Sequence, residues 1–124
     1  MVTDNVLALV DDENLVIHVV WTPVLASDDY PSSVKAQFYI PDERAMHYWD
    51  GDVNLGNAYG RVIALPNGRR LAWDIYFVYR KGVLWGEKPP EPDAWAHQLG
   101  LNDRHLGDGE RLRESLQEIL AESN

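Results

Sequence analysis

Residues 15 to 25 read Leu-Val-Ile-His-Val-Val-Trp-Thr-Pro-Val-Leu. This stretch decides the predicted fold, because it joins a long apolar run to a turn. The run from Leu15 to Val20 is continuous, which is typical of a strand buried on both faces at the centre of a sheet. Pro23 marks a short turn after the strand, and Ser27 or Asp28 can cap a following helix that runs to about Tyr39. A buried strand followed directly by a helix indicates an α/β domain.

The same alternation of strands and helices continues along the chain. Val34 and Phe38 lie four residues apart on one face of the first helix. The expected later elements are a strand from Ala45 to Trp49, a helix from about Val53 to Ala64, a hairpin of Leu71–Tyr79 with Val83–Glu87 around Arg80-Lys81-Gly82, a short helix from about Asp93 to Leu99, and a last helix from about 108 to 122 with Leu112, Leu116, Ile119 and Leu120 on one stripe. The 124 residues are therefore expected to form one α/β domain, a mixed β-sheet with helices on both faces.

Charge and composition exclude several classes of function. The chain carries 20 acidic and 11 basic residues, a formal charge of −9, so we expect neither nucleic-acid binding nor attraction to anionic membranes. No apolar run reaches the roughly 18 residues that span a bilayer, and the first residues lack the features of a signal peptide. The expected location is the cytoplasm. The chain has no cysteine, which removes disulfides, thiolate nucleophiles and thiolate metal sites.

Short motifs spread over residues 15 to 100 carry a family resemblance. They are Trp21-Thr22-Pro23-Val24-Leu25, Pro41-Asp42, Arg44, His47-Tyr48-Trp49-Asp50, Leu55-Gly56, Ala58-Tyr59, Ala72-Trp73-Asp74, Tyr76 and His97-Gln98-Leu99. On these residues, and on the expected order strand, helix, strand, helix, strand, strand, helix, the chain resembles bacterial thioredoxin-like proteins. The resemblance implies a single thioredoxin-like domain over the whole chain.

Two departures from that family change the expected function. Thr22 and Leu25 stand where the redox cysteines would be, and neither can form a mixed disulfide. The family's cis-proline before the third strand is also missing, because the sequence there is Leu71-Ala72-Trp73-Asp74. The resemblance therefore implies a binding groove without redox activity. The residues expected to bind are Trp21, Thr22, Pro23, Trp73, Asp74 and His97.

Other side chains carry groups that could serve metal binding or catalysis. His18, His47, His97 and His105 lack the i, i+4 spacing of a helical metal site, so we expect no metal and no cofactor. Helix capping explains Asp28 and Asp52, and a structural partner is the favoured role for Asp74. Thr22 as nucleophile, with His97 as base and an aspartate to orient it, remains the catalytic alternative.

The aromatic and basic residues point to partners. Core packing should account for most of the aromatic rings, but Trp85 and Trp95 flank the Pro-rich stretch and are expected to be partly exposed. Arg69-Arg70 and Arg80-Lys81 can contact an acidic patch on a second copy, giving a homodimer. The sequence thus predicts a redox-inactive binding module for a peptide, protein partner or small ligand; the alternative is a cofactor-free enzyme with Asp, His and Thr groups in an aromatic pocket.

Overall fold

A computed structural model describes residues 6–23, 25, 27–65, 71–72, 74–97 and 109–123. Its elements are β1 (Ile17–Trp21), α1 (Tyr30–Ala36) extended by a 3₁₀ turn (Gln37–Tyr39), β2 (Ala45–Trp49), α2 (Asn54–Val62), β3 (Ile75–Val78), β4 (Ala94–His97) and α3 (Gly109–Ser123). The fold is mixed α/β, which confirms the predicted class at that level.

The strands form two small sheets in the described part of the chain. β1 runs parallel to β2, with Ile17 opposite Ala45, and β3 runs antiparallel to β4, with Ile75 opposite His97. The single mixed sheet expected from the sequence is therefore not what these residues form. The two sheets share apolar contacts instead, since Ile17 packs against the same core cluster as Tyr76. Burial of β1 on both faces was also wrong, because His18 is exposed.

The expected hairpin around Gly82 is wrong, because β3 pairs with residues 94–97 and not with 83–87. Two hydrogen bonds close this longer connection at Asp93: its N–H donates to the Val78 carbonyl at 2.9 Å, and its carboxylate accepts from the Arg80 N–H at 2.7 Å. The short helix expected from Asp93 to Leu99 is wrong over its described part, because Ala94–His97 is a strand; Gln98 and Leu99 lie outside the described residues. Ala94 packs into one core cluster and Trp95 into the other, the period-two alternation of a strand.

The two clusters lie on opposite faces of β3 and β4, each covered by a helix. On one face, Tyr76, Val78 and Ala94 pack with the apolar stripe of α3, and on the other Ile75, Phe77, Tyr79 and Trp95 pack with Leu55 and Tyr59 of α2. The predicted stripe on α3 is confirmed by its residues in the first cluster, Leu112, Leu116, Ile119 and Leu120. This small sheet is thus the middle layer between two helices.

α1 is attached to the domain by its polar side. The N-cap is Asp29 and neither of the predicted caps, Ser27 and Asp28; its carboxylate accepts from the Ser32 N–H at 2.8 Å. Ser33 is buried, whereas Val34 and Phe38 are exposed. The face that Val34 and Phe38 share therefore points to solvent.

α2 begins and ends in left-handed backbone. Val53 precedes the helix at φ 53° without capping it, and Asp50 accepts the Leu55 N–H at 2.8 Å in its place. Ala64 follows the helix at φ 52°. The Leu65 N–H donates to the Gly60 carbonyl at 3.4 Å, the long-range bond of a Schellman motif.

Replacing Ala64 by Gly is expected to raise the free energy of unfolding by about 1 kcal/mol, because a left-handed conformation costs an alanine roughly that amount and costs glycine almost nothing. Ala64 is exposed, so the change removes no core contact. Urea denaturation followed by circular dichroism measures the effect. Ala58→Gly, inside the same helix, is the control and should lower stability by about 1 kcal/mol. A loss of stability in Ala64→Gly would contradict the described helix end.

Candidate functional site

The ends of β1 and β2 bring an indole and an imidazole together. The Trp21 Nε1–H donates to His47 Nδ1 at 3.1 Å, and the two rings are nearly parallel, with centroids 6.1 Å apart and planes at 9°. Since Nδ1 accepts this bond, it carries no proton in the structure. Trp21 and His47 are both half-buried. The indole N–H is therefore already paired within the chain, and what Trp21 offers a partner is its ring.

Asp50 connects these strand ends to α2. Its backbone N–H donates to the Trp21 carbonyl at 2.9 Å, its backbone carbonyl accepts from Thr22 Oγ1 at 3.4 Å, and its carboxylate binds the Leu55 N–H. The hydroxyl proton of Thr22 thus points to a carbonyl oxygen, which cannot act as a base. This geometry leaves Thr22 without the activation that a nucleophile requires.

Beside Asp50 lies an open groove between the start of α2 and the segment that follows Trp85. It has a volume of about 340 Å³ and is lined by Asp50, Asn54, Leu55, Ala58, Trp85, Gly86, Glu87, Lys88 and Pro89. Half of the Trp85 side chain is exposed, as the sequence predicted for this residue. The groove itself was missed, although a Trp within a polar, Gly- and Pro-containing stretch was the signal that could have located it.

A chain of tyrosine hydroxyls supports the segment from Trp85 to Pro90, whose residues 85–89 line one side of the groove. Tyr79 donates to the Pro90 carbonyl at 2.7 Å, so the Tyr59 hydroxyl, 2.7 Å away, is the donor to Tyr79. Tyr59 stacks on Phe77 at 3.8 Å between centroids and meets Trp85 edge-on at 5.8 Å. Burial, and then the hydrogen bond with Tyr79, raise the pKa of Tyr59 far above its usual range. Tyr59 is therefore a neutral structural donor, and it helps to hold Tyr79 and Trp85 in place.

Asp74 and His97 lie at a different place, at the start of β3 and the end of β4. Asp74 is exposed and has φ 54°, a conformation that Asp tolerates better than most residues. Desolvation raises the pKa of its carboxyl, and the charge of His97 opposes the shift. His97 is fully buried, at 0% exposure. These two residues interact, but a substrate in solvent has access only to Asp74.

The six predicted binding residues therefore separate into two groups. Trp21, Thr22 and Pro23 lie partly buried at the end of β1, and Asp74 and His97 lie beside β3 and β4; Trp73 falls outside the described residues. None of the five described ones lines the groove, to which Thr22 is linked through its bond to Asp50.

Arg80 is one of the basic residues that are expected to contact a second copy. Arg80 binds within its own chain, to Asp93 at 2.6 Å and to Glu122 at 2.8 Å. These two carboxylates raise the pKa of the Arg80 guanidinium, Glu122 more strongly than Asp93. Arg69 and Arg70 lie outside the described residues. A basic contact to another copy thus has no support from Arg80.

The described residues contain neither a metal-binding cluster nor a helix that could span a membrane. No group of three or more His, Asp or Glu side chains among them is arranged to hold a metal ion. None of the helices in those residues combines the length and the apolar character needed to cross a membrane.

When the chain is compared with protein-family models, with curated proteins and with solved structures, none of them matches it.

Proposed function

We propose that this protein is a cytoplasmic, redox-inactive thioredoxin-like module that binds an extended peptide segment of a protein partner. The binding surface runs from Trp21, Thr22 and Pro23, across Asp50, to the groove beside α2. The order of elements, strand, helix, strand, helix, strand, strand, helix, supports the thioredoxin-like assignment, because it is the order expected for that family. The lack of cysteine removes the family's thiol chemistry.

The observation that carries the proposal is the groove, which is open to solvent and has an aromatic wall. Trp85 is half-exposed there, next to Leu55 and Pro89. Tryptophan is enriched among the residues that dominate binding energy, because its ring buries a large apolar area at a small entropic cost. An open groove suits a ligand held by surface contacts. Catalysis generally needs polar groups that converge in a site from which water is excluded.

The charges around the groove favour a basic ligand. Asp50 and Glu87 line it, against the single cation Lys88, and the whole chain has a net charge of −9. Complementary charge speeds the encounter with a partner and suppresses binding of partners of the wrong sign. We therefore expect peptides that place Lys or Arg beside an apolar residue.

Selection from a phage-displayed library of random hexapeptides tests this expectation, with affinities of the enriched peptides measured by calorimetry. Glu87→Lys should weaken binding at least about tenfold, because it replaces an attractive charge by a repulsive one. Trp85→Ala should weaken binding by a similar factor through loss of the aromatic wall. Leu84→Ala is the matched control, since Leu84 is exposed but does not line the groove, and it should bind as the wild type does.

Two results would contradict the proposal. One is a selection that enriches no peptide. The other is an enriched peptide whose affinity is unchanged in both Glu87→Lys and Trp85→Ala, which would place binding elsewhere on the protein.

The alternative function is a cofactor-free enzyme that uses Asp74, Thr22 or His97. Its specific support is the raised pKa of the Asp74 carboxyl beside His97. Two observations weigh against it: His97 is completely buried, and the Thr22 hydroxyl donates to a backbone carbonyl. The binding module is therefore the function that the geometry supports better.

A further inference from the structure

We infer that the outer face of α1 binds a second copy of this chain. This face, the α1 stripe, consists of Tyr30, Val34 and Phe38, with Tyr39 beside it. The exposed fractions of these side chains are 61%, 42%, 84% and 79%. Single exposed apolar residues are common on proteins, but four within ten residues of one helical segment form a patch of the kind that marks an interface.

α1 is inverted with respect to an ordinary surface helix. The side that faces the domain carries Ser33, which is buried, and Ala36 and Gln37, which are half-buried. A surface helix normally turns its apolar stripe toward the core and its polar residues toward solvent. In this helical segment the small and polar residues are inside, whereas Tyr30, Val34 and Phe38 are exposed to solvent.

The area of the α1 stripe is enough for a dimer. The α1 stripe and the neighbouring Tyr39 together carry three aromatic rings, which are on average about three-quarters exposed. A ring of this kind can bury roughly 200 Å², so two copies remove about 900 Å² from water through these rings alone. Val34 and the helix surface around it bring the total past the roughly 1,000 Å² that a specific interface needs.

The α1 stripe is also complementary to itself. Tyr30, Val34 and Phe38 repeat every four residues, so the order is aromatic, aliphatic, aromatic in either direction. Two antiparallel copies related by a two-fold axis near Val34 therefore place each Tyr30 against the partner's Phe38, as an isologous interface requires. Residues 30–39 contain one charged residue, Lys35. The contact surface is thus nearly uncharged in a chain of charge −9, which lets two copies approach.

This inference does not rest on the proposed peptide groove. The groove is lined by residues 50, 54, 55, 58 and 85–89, none of which belongs to the α1 stripe. Failure of peptide binding and failure of dimer formation are therefore separate results.

Sedimentation velocity over a range of protein concentrations tests the inference. The wild type is expected to be a dimer at tens of micromolar, and added salt should strengthen association because it screens the repulsion between two acidic chains. Phe38→Glu should raise the dissociation constant at least about 100-fold, since the symmetry introduces two charges into each interface. Leu84→Glu is the matched control: Leu84 is 87% exposed, close to the 84% of Phe38, and its substitution should leave the dimer intact.

The lack of native cysteine allows a second, positional test. In Val34→Cys the two thiols meet near the two-fold axis, so mild oxidation should produce a covalent dimer in high yield. Leu84→Cys exposes its thiol more fully but should give little cross-linked product. Circular dichroism confirms that each variant is folded, which is expected because the substituted side chains lie outside the core clusters.

Three results would overturn the inference. The first is a wild type that stays monomeric up to several hundred micromolar, which would mean that the α1 stripe does not bind a second copy. The second is a dimer that survives Phe38→Glu. The third is equal cross-linking in Val34→Cys and Leu84→Cys.

Discussion

Replacing Arg44 by Ala is expected to lower the free energy of unfolding by about 3 kcal/mol, because it leaves a half-buried carboxylate and several backbone carbonyls without their donor. The five guanidinium N–H groups of Arg44 are all used. Two bind the carboxylate of Asp42, at 2.9 and 2.7 Å. The others bind the carbonyls of Leu7 at 3.0 Å, Val10 at 2.6 Å and Asp12 at 3.2 Å.

These bonds attach the first described segment to the domain. Val6, Leu7 and Val10 are buried in the cluster that also contains Leu112 of α3. Backbone carbonyls need donors wherever water is excluded, and Arg44 donates to those of Leu7 and Val10 and to that of Asp12 just after them. Loss of Arg44 is therefore expected to release residues 6–12 and to open the core beneath them.

Arg44→Lys distinguishes this arrangement from a simple ion pair. Lysine keeps the positive charge but has three donors on a single atom, so it cannot bind a carboxylate and three carbonyls in different directions. We expect it to lose most of the stability that Arg44→Ala loses. Lys81→Ala removes one exposed charge elsewhere and should change stability by less than about 0.5 kcal/mol. Equal stability of Arg44→Lys and wild type in urea denaturation would contradict the proposed role of the carbonyl bonds.

The same cluster makes stability depend on pH. Hydrogen bonding to Arg44 is the largest influence on the Asp42 carboxyl, and it holds the pKa below the ordinary value. Asp42 therefore contributes stability above its unfolded pKa, and this contribution is lost as the pH falls through the lower folded value. Part of the acid destabilisation of the wild type should be absent in Asp42→Asn, which is already less stable at neutral pH.

Elements with a complete local pattern could be predicted from the sequence. The strand Ala45–Trp49 has the predicted bounds, and α3 has the predicted stripe, because local turn residues and helical periodicity suffice to place them. The strand Ala94–His97 could not be predicted, because four residues are too few to show a period. Its identity comes from pairing with β3, which lies 15 or more residues earlier in the chain.

Local sequence patterns do not show which way a helix face points or which distant residues come into contact. Val34 and Phe38 were placed on one face of a helix, but periodicity does not say whether that face meets the core or solvent. Trp21 ends β1, and Thr22 and Pro23 follow it, as expected. The groove, in contrast, depends on Trp85, which lies 35 positions after Asp50 in the sequence. Only the folded chain brings these two residues to the same surface.

Gly56→Ala is expected to destabilise the protein by about 3 kcal/mol, even though alanine is the better helix former by about 1 kcal/mol. A Cβ atom at position 56 would lie 2.8 Å from the carbonyl oxygen of Ala72 and 2.5 Å from Leu71 Cδ1. The Leu71 side chain can rotate away, but the Ala72 carbonyl belongs to the backbone. Its segment is also held at this distance, because the Ala72 N–H donates to the Gly56 carbonyl at 2.9 Å.

The substitution therefore forces residues 71–72 away from α2. The hydrogen bond from Ala72 is broken, and Ala72 leaves the cluster that it forms with Tyr59 and Leu65. Amide hydrogen exchange gives a readout at the site itself: the Ala72 N–H should be protected in the wild type and exchange rapidly in Gly56→Ala. Urea denaturation measures the accompanying loss of stability.

Gly86→Ala is the control for the general effect of adding a methyl group to a glycine. A Cβ at position 86 meets no atom within 4 Å, so we expect a change of less than about 0.5 kcal/mol. If Gly56→Ala were as stable as Gly86→Ala and kept Ala72 protected, residues 71–72 could not lie against the backbone of α2. The close contact between α2 and residues 71–72, and with it the stability of the domain, therefore depends on the missing side chain at Gly56.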